Sequence, residues 1–157
     1  MKKSSRVELD KLDWRIVEQL QVNSRKALAQ LGREIGLSQP AISERVKRLE
    51  SKGVIEGYSA RVNTQALGLD LIAFARLKTS FQFLKPCLQL FASIPQIIEV
   101  HRVTGEDCFI LKVIVPRAAD LESIIDRMAK YGSVTTSIVL SSTPPVPITR
   151  SAAESFE

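Results

Sequence analysis

Apolar residues recur at helical spacing along the first third of the chain. Leu9, Leu12, Ile16, Val17 and Leu20 share one side of a helix predicted from about Asp10 to Gln21. Asp10 can cap that helix and Asp13 adds negative charge at its positive end, while Trp14 and Arg15 are left mostly outward. Leu28, Leu31 and Ile35, at i, i+3 and i+7, predict a second helix that Gly36 breaks. Ser38 restarts the chain as a helix, its hydroxyl able to accept a free backbone N–H, and Pro40 sits in the first turn where its missing donor costs nothing. Ile42, Val46 and Leu49 form the apolar stripe of this third helix. Helix, three-residue turn Gly36-Leu37-Ser38, helix is the sequence form of a helix-turn-helix, and the first helix completes a three-helix unit.

After Gly53 the pattern changes. Val54 to Asn63 reads as a short extended segment and Asn63 to Gly68 as a turn-rich link. Leu71–Thr79 is a predicted strand. Leu84, Cys87, Leu88 and Phe91 mark a helix that Pro95 terminates. Ile97–Thr104 and Cys108–Val115 are strands joined through Gly105-Glu106-Asp107. Leu121, Ile124, Ile125 and Met128 mark another helix closed by Tyr131-Gly132, and Val134–Ser141 is the last strand. The order βαββαβ is the ferredoxin-like arrangement, one antiparallel sheet with both helices on one face. The fold class is therefore α+β: a helix-turn-helix domain over 1–53, an extended linker over 54–68, a ferredoxin-like domain over 69–142, and a tail over 143–157. The tail, proline-rich from Thr143 to Pro147 and then polar, is expected to be an extended arm or disordered. Apolar side chains point both ways in Phe109–Val115, so a second subunit is expected to cover the other sheet face.

Charge adds a function to this outline. Residues 1–63 carry 13 Lys/Arg against 8 Asp/Glu, whereas residues 64–157 carry 9 of each, so the whole net charge of +5 lies with the helix-turn-helix. Positive charge confined to one domain is the footprint of a nucleic-acid binder. The third helix can enter a major groove with Ser38, Gln39, Pro40, Ser43 and Glu44 toward base edges, and Arg45, Lys47 and Arg48 toward phosphates. Double-stranded DNA is the expected partner, and a two-fold pair of heads suits a pseudo-palindrome. A nucleoid-organising protein with little sequence preference would carry the same head residues, and specific against non-specific affinity at stated salt separates the two.

Other classes fit less well. No apolar run approaches the ~20 residues that span a bilayer, and the N-terminus lacks the apolar core of a signal peptide, so a cytoplasmic, nucleoid-associated location is expected and no membrane partner. Cys87 and Cys108, with twenty residues between them, match no metal or redox spacing and read as buried small hydrophobes. His101, Glu106, Asp107 and Cys108 lie close in sequence, but His101 is on one predicted strand and Cys108 on the next with no third ligand at a recognisable spacing. Catalytic residues, metal ligands and cofactors are therefore expected to be absent.

An ordered series of motifs resembles the Lrp/AsnC, or feast/famine, family of transcription regulators over about residues 9–142. It runs Leu9-Asp10-x-x-Asp13-x-x-Ile16, Gly36-Leu37-Ser38, Arg45-Val46-x-x-Leu49-Glu50-x-x-Gly53-Val54-Ile55, Gly57-Tyr58-x-Ala60 and Thr104-Gly105. The resemblance implies a helix-turn-helix head, a linker, and a ferredoxin-like effector-binding domain called RAM. It also implies homodimers that in many members assemble into octamers, with an amino-acid effector between neighbouring RAM domains. On matching positions the effector residues would be Thr104, Gly105, Glu106 and Asp107, facing the start of the last strand at Thr135, Thr136 and Ser137. The chain departs from the family at Cys108, where an aspartate is often found, at Gly32, where alanine is usual, and at Ala27, which replaces a capping serine. The last two are expected to weaken the second helix, since an interior glycine costs ~1 kcal/mol relative to alanine.

Overall fold

Caps at the helix ends set the first part of the fold. In the computed structural model, which describes residues 7–154, α1 spans Lys11–Val22. Asp10 caps it by accepting from the N–H groups of Leu12 and Asp13, and the Asp13 carboxylate accepts from the N–H of Asp10 in return. This reciprocal box satisfies donors that would otherwise be orphaned at the helix start. Helix α2 spans Leu28–Ile35 and α3 spans Gln39–Ser51. Their three apolar stripes meet in one core in which Ile16, Leu20, Leu31, Ile35, Ile42, Val46 and Leu49 are buried, with Leu9, Leu12, Val17 and Leu28 packed around them. Burying such a side chain is worth about 1.5–3 kcal/mol, so this cluster holds the head together. Gly36 leaves α2 in the left-handed conformation, φ 85°, and the N–H groups of Gly36 and Leu37 both reach the Gly32 carbonyl.

Two expectations change here. Ser38 does occupy the extended position before α3, but its hydroxyl makes no capping hydrogen bond. Gly32 is more than a weak point in α2. A Cβ there would lie 2.8 Å from the Leu37 carbonyl oxygen and 3.2 Å from Ile42 Cγ2, so the tight turn into α3 uses the space a side chain would fill.

The described chain divides into two compact units, one running to Arg61 and resuming at Pro144, the other Val62–Thr143. The first six and last three residues, which the sequence reading gave to the head and the tail, lie outside the described residues, and with them Lys2, Lys3 and Arg6. Within the first unit, residues 56–61 form no helix or strand, and the tail returns to end in a short helix α6, Arg150–Glu154.

The second unit is the four-stranded antiparallel sheet in the order β2-β3-β1-β4, with β1 Leu71–Thr79, β2 Ile97–Arg102, β3 Phe109–Val115 and β4 Gly132–Ile138. Helices α4, Leu84–Ala92, and α5, Ala118–Ala129, close one face. Alternation along β1 and β3 sends Ala73, Ala75, Leu77, Phe109, Leu111, Val113 and Val115 into the core with Cys87, Phe91, Leu121, Ile124 and Met128. Phe91 meets Phe109 edge to face at 5.2 Å. The other residues of those strands, Ile72, Phe74, Ile110 and Ile114 among them, point to the opposite face, where no helix of this unit lies. Gly132 does not close α5, which ends at Ala129. It opens β4, where the Lys78 backbone carbonyl occupies the place of a Cβ.

Candidate nucleic-acid interface and effector loop

Helix α3 carries its polar residues on the side away from Ile42, Val46 and Leu49. Ser38, Gln39, Pro40, Glu44 and Lys47 are exposed, Ser43 is half-buried, and Lys47 forms no ion pair among the described residues. Exposed donors at a helix start next to an open cation are what a major groove can accept.

Arg45 and Arg48 are placed differently from expectation. Asp13 is 2% exposed, and its carboxylate is gripped by both arginines: Arg45 Nη1 lies 2.8 Å from Oδ1, and Arg48 Nη2 lies 2.7 and 2.8 Å from the two oxygens. Arg45 Nη1 also donates to Asp10 at 2.7 Å. A buried carboxylate needs such partners, since removing them leaves an uncompensated charge. The pairs tie α3 to the start of α1, so these two guanidinium groups help hold α3 against α1. The Asp13 backbone N–H, and after it Arg45, hold the Asp10 carboxyl below its ordinary value, while Asp10 in turn raises the Arg45 pKa. The matching i, i+3 spacing of Asp10/Asp13 and of Arg45/Arg48 is the sequence signal for this cluster.

Arg15, expected outward, also acts on the motif. Its guanidinium donates to the carbonyls of Glu34, at 3.0 Å, and Ile35, at 3.4 Å, where α2 ends with unpaired acceptors. Beyond α3, Gly53 adopts φ 69° and the N–H groups of Val54 and Ile55 return to the Leu49 carbonyl. Tyr58 then donates to Glu50 Oε1 at 2.8 Å, pinning the segment after α3 back onto that helix. Burial, helped by the Glu50 carboxylate, pushes the Tyr58 hydroxyl up to about 12.

In the second unit the β2–β3 loop is closed by the Val103 N–H on the Cys108 carbonyl. Gly105 takes φ 113°, Thr104 and Glu106 are exposed, and Glu106 lies 3.8 Å from Lys78. Cys108 anchors the loop base to β1: its N–H donates to the Leu77 carbonyl and its Sγ lies 3.1 Å from the Thr79 carbonyl. Thr135, Thr136 and Ser137 are not at the start of β4. They pair with Arg76, Ala75 and Phe74 in mid-strand, whereas Ser133 is the residue level with Lys78. Alternation turns Thr136 to the helix side and Thr135 and Ser137 to the open face, so one chain does not gather the seven effector positions on one wall. His101 points with Ile110 to the open face, its Nε2 3.4 Å from Glu99. Among the described residues no group of three or more His, Cys, Asp or Glu could hold a metal ion, and no helix is long and apolar enough to cross a membrane.

Residues 9–50 match the AsnC-type helix-turn-helix domain and residues 72–146 match the Lrp/AsnC ligand binding domain. The chain belongs to the Lrp/AsnC family. The HTH-type transcriptional regulator YezC of Bacillus subtilis is 38% identical over 137 residues, 85% of this chain and 95% of that protein. The leucine-responsive regulatory protein of Rhizobium meliloti is 37% identical over 123 residues, 76% of this chain and 79% of that one. The solved structure of LrpC from B. subtilis superposes with a TM-score of 0.83 at 29% identity, covering 88% of this chain and 99% of LrpC. These Lrp/AsnC relatives are transcriptional regulators, not enzymes, and this chain is a DNA-binding regulator of the same fold.

Proposed function

We propose that this chain is an operator-binding regulator that works as a homodimer or a larger assembly of dimers and is tuned by an amino acid. The observation that carries the reading is the pairing of an α3 face left open outside the core with a second unit whose helices lie on one side of its sheet, leaving Phe74 39% exposed on the other. Within that reading, residues 1–53 form the head, 54–68 the linker, 69–142 the effector and oligomer domain, and 143–157 the tail. Ser38, Gln39, Pro40, Ser43 and Glu44 face base edges and Lys47 reaches phosphate. Arg45 and Arg48 orient the helix through Asp13, and each phosphate they reach is gained against that ion pair.

The effector reading is supported by the ligand-binding family model over residues 72–146 and by a relative named for its response to leucine. Thr104 to Asp107 of one copy and Thr135 to Ser137 of another would then complete a site that one chain leaves divided. Such a regulator works where the DNA is, in the cytoplasm on the nucleoid.

Fluorescence anisotropy on operator and random DNA at several salt concentrations tests the head. Lys47→Ala should weaken binding to both DNAs and reduce the salt slope by about 1, as expected for one lost phosphate contact. An unchanged slope removes Lys47 from the interface, and equal affinity for all DNAs replaces the operator-binding reading with an architectural one. A thermal-shift screen of the twenty amino acids tests the effector: a ligand of the native state present at 100 times its Kd adds about 2.7 kcal/mol of stability. No shift with any of them removes the amino-acid reading.

A further inference from the structure

The C-terminal arm belongs to the head. After Thr143 the chain rejoins the unit it left at Arg61, and it is held there by backbone-specific contacts. The Gln21 side-chain amide reads both polar groups of one arm residue: Nε2 donates to the Ile148 carbonyl at 2.9 Å, and the Ile148 N–H donates to Oε1 at 2.8 Å. One turn earlier on α1, Glu18 Oε1 accepts from the Arg150 N–H at 3.1 Å. Pro145 and Ile148 line a cleft of about 710 Å³ whose other walls include Val17, Leu20, Val54 and Tyr58. An amide that matches a backbone N–H and C=O together imitates one rung of a β-ladder, so it selects an extended segment without depending on the side chain it holds. Ile148 remains 66% exposed, so hydrogen bonds and not burial hold the arm, and such exposed bonds open readily.

We infer that residues 145–154 form an intramolecular strap that fastens to α1 of the head, and that release of the strap changes how the head binds DNA. The connection it makes is short. β4 ends at Ile138, the Val139 N–H still pairs with the Ile72 carbonyl, and only a few residues separate that bond from the arm. Pro144, Pro145 and Pro147 stiffen this run, because proline-rich segments stay extended instead of taking up slack. The head is thus joined to the sheet unit through two stretches of chain, the linker and the strap. The strand feeding the strap is the one that carries Thr135, Thr136 and Ser137. The inference concerning DNA rests on the proposed reading of the head; the strap itself does not.

Hydrogen exchange and limited trypsin digestion of the full chain test it, with Gln21→Glu and Ile148→Pro breaking the same contact from opposite sides. Gln21→Glu removes the donor to the Ile148 carbonyl, and Ile148→Pro removes the N–H. In the parent chain the Arg150 amide should exchange at least ten-fold more slowly than in an unstructured peptide. Each variant should speed that exchange and trypsin cleavage after Arg150 by about five-fold, the factor expected for one exposed hydrogen bond. The double variant removes both hydrogen bonds, so it should be faster than either single one. An unprotected Arg150 amide in the parent overturns the strap. Protection that disappears on dilution overturns its intramolecular form, leaving exchange of arms between copies. At fixed salt, Ile148→Pro, which adds no charge to the head, should shift the Kd for operator DNA at least three-fold with an unchanged melting temperature. An unchanged Kd alongside lost protection overturns the link to DNA. A parent chain that binds no DNA overturns the function proposed for the head, and the exchange data still decide the strap.

Discussion

Gly32 shows how a single position answers to two requirements. As an interior helix residue it costs stability, yet its Cβ would press on a backbone carbonyl of the following turn and on Ile42. Helix propensity favours alanine by ~1 kcal/mol, but overpacking against atoms that cannot swing away costs typically 1–3 kcal/mol. Gly32→Ala is therefore expected to lower the stability of the head by about 1 kcal/mol, read as a lower midpoint in urea unfolding. An increase would show that the turn gives way. Asp13 obeys the same logic with charge. It is tolerable inside the head only because Arg45 and Arg48 complete its hydrogen bonds, and the family motif that includes it is thus a structural device as much as a signature.

Elements are positioned by what reaches their ends. Arg15 closes α2, the Asp10–Asp13 box opens α1, and Tyr58 fastens the linker to Glu50 of α3. The last contact gives the linker a pH signature. Folding raises the Tyr58 pKa from its ordinary value to about 12, so the contact contributes stability that is complete below an unfolded value of about 10 and is lost as the pH rises toward 12. Ultraviolet titration should find one tyrosine ionising late, and Tyr58→Phe should remove that component. Glu50→Gln should shift it downward, because a neutral amide no longer penalises the phenolate. A component that stays unchanged in Glu50→Gln would assign the shift to burial alone.

In the single chain the helices of the second unit lie on one face of its sheet. Phe74 is 39% exposed on the open sheet face beside Ile110 and Ile114, with Arg76, Lys112 and Glu99 around them. A second copy set on that face would bury the apolar centre while the charged side chains remain at hand for pairing. Phe74→Lys should leave the single chain folded, because the position is solvent-facing in it. It should raise the dimer dissociation constant by a hundred-fold or more, since a buried Phe is worth about 1.5–3 kcal/mol and the new cation would lie near Arg76 and Lys112. Sedimentation across a concentration series measures this. A dissociation constant equal to that of the parent would place the subunit contact elsewhere.

Periodicity alone determined much of this protein. The stripes of α1 to α3, the alternation of β1 and β3 and the order βαββαβ are local signals, each written within one turn or one strand. The family followed from the same stretches, because its motifs are the caps, turns and core positions of those elements. Tertiary structure decided what depends on residues far apart in the chain. The pairing of Asp13 with Arg45 and Arg48 and the need for glycine at 32 and 132 arise only when elements pack. So does the separation of the β2–β3 loop from Thr135, Thr136 and Ser137 by intervening strands. The arm is the clearest case: its composition reads as an extended arm or a disordered tail, and the partners that dock it, Glu18 and Gln21, stand more than 120 residues away.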